Sequence, residues 1–191
     1  CCLTKIDNSR AVRNRMTLGE ITEIINSPAF TTEVVGEILN IYREEGNSFI
    51  RPFKTEDETT HTLSATTVLD ITHESLIRNW NKLNEWANKE YEFYTTYLDF
   101  KKQLDRWKNN GKSSDYLLPI GPLTFFENWY DQCKPNVGWI RRYSEIQEDK
   151  SKASAVAQEV LTDIRDFLKR SARSVMVTRA FMKYGPQKIA T

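Results

Sequence analysis

The chain is poor in the residues that usually do chemistry. It has three cysteines and two histidines in 191 residues. Cys1 and Cys2 are adjacent and Cys133 stands alone, which builds no disulfide framework and makes a reducing compartment the default expectation. His61, His73 and Cys133 lie far apart in sequence with no paired ligand at metal spacing, which argues against a metal site. There is no Gly-x-x-x-x-Gly-Lys-(Ser/Thr) loop, no Asp-rich strand suited to Mg²⁺, and no Ser/His/Asp or Cys/His arrangement. No catalytic residue is therefore assigned, and the chain is not read as an enzyme. No apolar run approaches the roughly 20 residues that span a bilayer. Cys1-Cys2-Leu3-Thr4 does not resemble a signal peptide, and a start at Cys leads to the expectation of a piece excised from a longer protein.

What remains is a globular composition, 28% charged and 39% hydrophobic, at a length that suits one or two small domains. The net charge of +1 hides an asymmetry. Residues 165–191 carry seven cations against Asp166 alone, while residues 1–164 carry 20 cations and 25 anions. A basic end is ordinarily a solvated face, but it can also meet an anionic surface.

Periodicity supplies the elements. Cys1 to Thr4 reads as the last turn of a truncated element, Asn8-Ser9-Arg10 as a turn, and Ala11 to Met16 as a short extended segment. Thr17-Leu18-Gly19-Glu20 has the spacing of a capping box and opens a helix with Leu18, Ile21, Ile24 and Ile25 on one face, ended by Ser27-Pro28. A second helix is expected from Thr31 or Thr32 to Glu45, with Val34, Val35, Ile38, Leu39, Ile41 and Tyr42 as its stripe. Phe49–Phe53 and Leu63–Ile71 have strand character, separated by the polar stretch Lys54–Thr60. Helix, helix, strand, long hairpin loop, strand is the order of a winged helix.

After Thr72 the chain reads as helical almost throughout. The expected stripe runs through Leu76, Ile77, Trp80, Leu83 and Ala87, then Tyr91, Tyr94, Leu98, Lys101, Leu104 and Trp107. Gly111–Ser114 breaks it. Leu123, Phe126, Trp129 and Tyr130 mark another helix, Trp139–Ile146 a short one, and Ser151 onward a long amphipathic one that runs toward Tyr184. The five tryptophans are expected to pack in the core. The fold class expected is mostly α: a winged-helix-like domain over residues 1–72, then an all-α bundle over residues 73–191 with a basic tail.

The most informative segment is Thr72-His73-Glu74-Ser75-Leu76-Ile77-Arg78-Asn79-Trp80. With Thr72 as N-cap, His73 and Glu74 fall in the first helical turn, where free N–H groups and the positive dipole end can meet a phosphate or carboxylate. A capped helix with a merely exposed histidine fits the same spacing, and the residues alone leave both readings open.

Val68 to Trp80, continued by Leu83 and Trp86, resembles the winged-helix exit motif of bacterial STAND-class signal-transduction ATPases. In the novel STAND branch that motif reads His-Glu-(Ala/Ser)-Leu-(Ile/Leu)-Arg-x-Trp-x-x-Leu-x-x-Trp. Arg106-Trp107 and Tyr116-Leu117 are similar to later family features. Arg13 and Arg15 straddle Asn14, where the family usually has paired arginines. The similarity covers about residues 1–130.

The resemblance implies a nucleotide-binding domain outside this chain, holding ATP or ADP with Mg²⁺, against which the winged helix packs. It implies no cofactor on the 191 residues themselves. His73 would occupy the position of the Met-His-Asp histidine of the apoptotic and plant-resistance relatives, contacting the β-phosphate of ADP, and Glu74 would brace the turn. A regulatory, non-catalytic role follows, cytoplasmic, with a homo-oligomer in the active state.

Three other readings stand beside it. A winged helix commonly reads DNA, but the expected recognition helix carries Glu33, Glu37, Glu44 and Glu45 against Arg43 alone, which opposes duplex DNA. Residues 165–191 interleave Arg170, Arg173, Arg179, Lys183 and Lys188 with Val175, Met176, Val177, Phe181 and Met182, a composition that suits an anionic membrane at its inner face. A protein-interaction adaptor without a nucleotide link is the third.

Overall fold

The computed structural model describes residues 2–7, 10–54, 63–144 and 149–184. The turn at Asn8-Ser9, the loop beyond Lys54, His61, Ile146 and Lys188 lie outside the described residues, as do the side chains of Arg179 and Lys183. The fold is mostly α, with seven α-helices and two small antiparallel sheets among the described residues. It divides into two compact units, Cys1–Glu92 with Asn136–Trp139, and Phe93–Pro135 with Ile140–Thr191.

Where the last turn of a truncated element was expected, the first unit opens with a hairpin. β1 (Thr4–Asp7) pairs antiparallel with β2 (Arg10–Arg13). Asn14 holds the entry turn by donating from its backbone to the Leu3 carbonyl at 2.9 Å and from Nδ2 to the Cys2 carbonyl at 3.0 Å. The extended stretch expected over Ala11–Met16 thus divides into β2 and β3 (Met16–Thr17).

α1 (Leu18–Ile25) begins with the expected capping box. Thr17 Oγ1 accepts from the Glu20 N–H at 3.2 Å, and Glu20 Oε2 accepts from the Thr17 N–H at 2.8 Å. The reciprocal pair satisfies two of the donors that a helix start leaves open.

α2 (Thr32–Ile41) is capped by Thr31 and stops four residues before the expected Glu45. The Tyr42 carbonyl accepts from the N–H groups of Phe49 and Ile50, and the Arg43 carbonyl from Lys54, so the returning chain takes acceptors a longer helix would use. Arg43 is buried. Its guanidinium donates to Asn40 Oδ1 at 2.6 Å and to the carbonyls of Pro52 and Phe53, at 2.5 and 3.3 Å.

The second sheet has the order β3-β5-β4, with β4 at Ile50–Arg51 and β5 at Val68–Ile71. β5 is shorter than the Leu63–Ile71 strand expected. Ser64 and Thr67 close a turn through Thr67 N–H to the Ser64 carbonyl at 2.9 Å and Ser64 N–H to Thr67 Oγ1 at 3.1 Å, a local alternative to sheet pairing. Met16, Leu18, Ile21, Val35, Ile50 and Leu69 form the core between sheet and helices.

α3 (Glu74–Asn79) and α4 (Asn81–Asn109) are separate, because Trp80 adopts an extended conformation at φ −93° and ψ 94°. In the second unit α4 buries Tyr97, Phe100, Leu104 and Trp107. It ends through Gly111 and Lys112, both at positive φ. α5 (Ile120–Cys133) contributes Leu123, Phe126 and Trp129 as expected, and α7 (Lys150–Tyr184) contributes Ala153, Ala157, Leu161, Ile164, Phe167 and Leu168. The rings interlock, Phe100 with Trp129 at 5.7 Å and Trp107 with Phe167 at 4.9 Å between centroids.

Asp163 of α7 is buried against this core. Lys112 Nζ meets its Oδ1 at 2.8 Å and Lys108 pairs with Oδ2. The short α6 (Val137–Arg142) begins within the first unit's residues: Asn136 Nδ2 donates to the Ile24 carbonyl at 2.8 Å, and Trp139 Nε1 to Glu90 Oε1 at 2.8 Å.

Candidate functional site

The junction at residue 72 is built from the centre of a sheet. β5 pairs on one side with β3, Met16 opposite Leu69, and on the other with β4, Ile50 opposite Ile71. Leu69, Asp70, Ile71 and Thr72 are all buried. A strand fixed on both edges gives the residue that follows it a defined starting point.

Thr72 is not the helix cap. Its N–H donates to the Phe49 carbonyl at 2.9 Å and its hydroxyl to the Ser48 carbonyl at 2.6 Å, so it extends the pairing with the chain leading into β4. A hydroxyl committed to Ser48 is unavailable to the helix. The N-cap is His73, extended at φ −129° and ψ 129°, with no capping bond from its side chain. His73 therefore precedes the first turn rather than lying in it. The ring is exposed.

Glu74, the first residue of α3, is exposed and pairs with Arg78 at 3.5 Å, one turn along. The two expected site residues are thus neighbours in sequence that face different tasks. His73 presents an open imidazole, whereas Glu74 closes a contact within a helix of only six residues.

Behind the junction, Asp70 gathers two arginines. Arg15 Nε meets Asp70 Oδ2 at 3.0 Å and Arg13 Nη1 approaches the same oxygen at 3.6 Å, with a further bond from Arg13 Nη1 to the Ile71 carbonyl at 3.4 Å. Asp70 Oδ1 is buried without a hydrogen-bond partner. The Asn14 that separates these arginines does not prevent them from converging. Alternation puts residues 13 and 15 on one side of an extended stretch, which lets both reach the same carboxylate.

Beside α3 an apolar groove of about 630 Å³ is lined by residues including Leu39, Tyr42, Phe49, Leu76, Trp80 and Trp86. Trp80 and Trp86 meet edge to face at 6.1 Å and are both exposed. This corrects the expectation that all five tryptophans lie in the core: Trp107, Trp129 and Trp139 are buried, and these two are not. Six residues is not a helical repeat, so one continuous helix would have separated them by about 120°. The break at Trp80 lets both rings border one groove.

Arg43, the only cation in the expected recognition helix, is committed to the interior. The outward positions of α2 include Glu33, Glu37, Val34, Ile38 and Ile41. Among the described residues, no helix is long and apolar enough to cross a membrane, and no cluster of three His, Cys, Asp or Glu could hold a metal ion.

A family model described as Novel STAND NTPase 1 matches residues 2–115, a span that takes in the hairpin, both sheets, the junction and all of α4. No curated protein and no solved structure matches the chain.

Proposed function

The chain belongs to the novel STAND NTPase 1 family, and from that premise we propose that it is a regulatory, non-catalytic module of a signalling ATPase. Its first unit acts as a winged-helix-like body that packs on a nucleotide-binding domain outside these 191 residues and responds to whether ADP or ATP with Mg²⁺ is held there. The observation that supports this reading best is the exposed His73 at the end of a strand locked on both edges, inside the matched span.

The residues divide the task. β5 and Thr72 set the position of His73 through buried backbone and hydroxyl bonds. A neutral imidazole can donate one hydrogen bond to a diphosphate oxygen, and its exposed ring leaves that donor available. The bond biases a closed–open equilibrium by about 1–3 kcal/mol, as expected of a hydrogen bond to a charged group. Such a shift changes the populations of two states without performing chemistry. Glu74 steadies the first turn through Arg78.

The test is ADP retention by the longer protein that carries the nucleotide-binding domain. His73→Ala should speed ADP release by about 5- to 150-fold, read from dissociation of a fluorescent ADP analogue. Unchanged release rejects the sensor role.

The Trp80–Trp86 groove favours one second reading, an interaction adaptor with no nucleotide link. In that case His73→Ala leaves ADP release unaltered while Trp80→Ala weakens capture of the partner.

A further inference from the structure

We propose that the outward face of α2 docks the basic C-terminal part of α7 from a second copy of this chain. α2 has two apolar faces where the fold needs one. Val35 and Gly36 point into the core. On the opposite side Val34, Ile38 and Ile41, spaced four and three residues apart, are 36%, 42% and 54% exposed, and Phe30 precedes them at 42%. An amphipathic helix ordinarily turns a polar face outward.

Charge indicates the occupant. Glu33 and Glu37 lie beside the stripe, four residues apart, and no cation pairs with either among the described residues. Hydrogen bonds from its own backbone N–H and from Thr31 hold the Glu33 carboxyl below the usual range, so it stays charged. A partner for this face needs cations at four-residue spacing next to apolar side chains. An anionic lipid or nucleic acid is repelled by it.

The same chain carries a helix of that description. Lys169 and Arg173 of α7 are exposed, four residues apart, and Met176 follows on the same face at 69% exposure. The sequence continues to Arg179 and Lys183 within the helix. The acidic pair and the basic pair share one spacing and have opposite signs. Each pair lies in the part of the chain that carries an excess of its own sign, acidic over residues 1–164 and basic over residues 165–191.

Because the two surfaces differ, the contact is heterologous: each copy offers one and accepts the other. Charge attraction orients the helices and the apolar stripe excludes water. This inference does not rest on the nucleotide-sensing reading.

Sedimentation velocity and light scattering of the 191-residue chain test it. At about 50 mM salt the mass should rise above that of a monomer with concentration, and at about 500 mM salt it should return to monomer, because salt screens exposed pairs. Glu33→Lys with Glu37→Lys should weaken association about tenfold or more, and Lys169→Glu with Arg173→Glu should do the same. Mixing the two reversed variants should restore association between them. All four residues are exposed, and circular dichroism checks that each variant keeps its helices. Ile38→Asp offers a second way to remove the acceptor face. A monomer at every concentration in low salt overturns the proposal, as does self-association that survives both reversals or a mixture that fails to associate. A chain that stays monomeric while its basic helix binds phosphatidylserine vesicles overturns it too.

Discussion

Thr72 and His73 are adjacent and have opposite consequences for the fold. The Thr72 hydroxyl is buried against the Ser48 carbonyl at 2.6 Å, so Thr72→Val leaves that acceptor without its donor. The expected cost is about 1–2 kcal/mol, read as a lower urea midpoint at unchanged slope. His73→Ala removes an exposed ring and should move the same midpoint by no more than about 0.5 kcal/mol. Equal effects would mean that the junction is held differently. The capping box at Thr17 and Glu20 was legible because both partners sit within one turn of sequence. The Thr72 cap was misread for the complementary reason: its hydroxyl had a partner 24 residues away that no local pattern reveals. The convergence of Arg13 and Arg15 on Asp70, across more than 50 residues, was hidden in the same way.

At the scale of elements, periodicity located the helices better than it located their ends and faces. α2 stops early because Tyr42 and Arg43 give their carbonyls to the returning chain. On α4 the expected row is buried at Leu83, Ala87, Leu104 and Trp107, but Tyr91 and Leu98 within it are exposed, while Tyr97 and Phe100 outside it are buried. An aromatic-rich helix offers more than one apolar row, and the choice falls to rings on other elements, here Trp129 against Tyr97 and Phe100. Where two elements meet backbone to backbone, the tolerance is smallest. A Cβ on Gly138 would lie 3.0 Å from the Glu23 carbonyl carbon and 3.1 Å from both the Glu23 oxygen and the Ile24 nitrogen. Gly138→Ala should therefore cost about 1–3 kcal/mol, seen as a lower melting temperature, whereas Gly121→Ala, with open space around it, should be nearly neutral. Comparable losses at both positions would argue against that close approach.

For the molecule as a whole, the buried Asp163 and the two more exposed lysines that meet it set a pH window. Burial alone would raise the Asp163 carboxyl, but hydrogen bonds and charge from Lys108 and Lys112 outweigh it and hold the group below the ordinary range. The Lys108 ammonium is raised, chiefly by its bond to Asp163. A depressed carboxylate contributes stability above its unfolded value and loses it as pH falls through the folded one, here below about pH 4. The raised ammonium contributes below the unfolded lysine value and loses that contribution only as pH climbs through the folded one, above about pH 10. Asp163→Asn should cost about 1–3 kcal/mol at pH 7 and flatten the acid limb of a stability–pH curve measured by urea unfolding. A parallel curve would remove Asp163 from the account.

The mostly α class was legible because long amphipathic stripes announce themselves. The division of the chain was less so, since residues 136–139 rejoin a unit that otherwise ends at Glu92. Asn136 and Trp139 reach Ile24 and Glu90 from well past residue 115, where the family match stops. The matched span therefore stops short of the four residues that complete the first unit. A chain cut at residue 115 would keep the junction and its histidine but lose the four residues that reach back to Ile24 and Glu90.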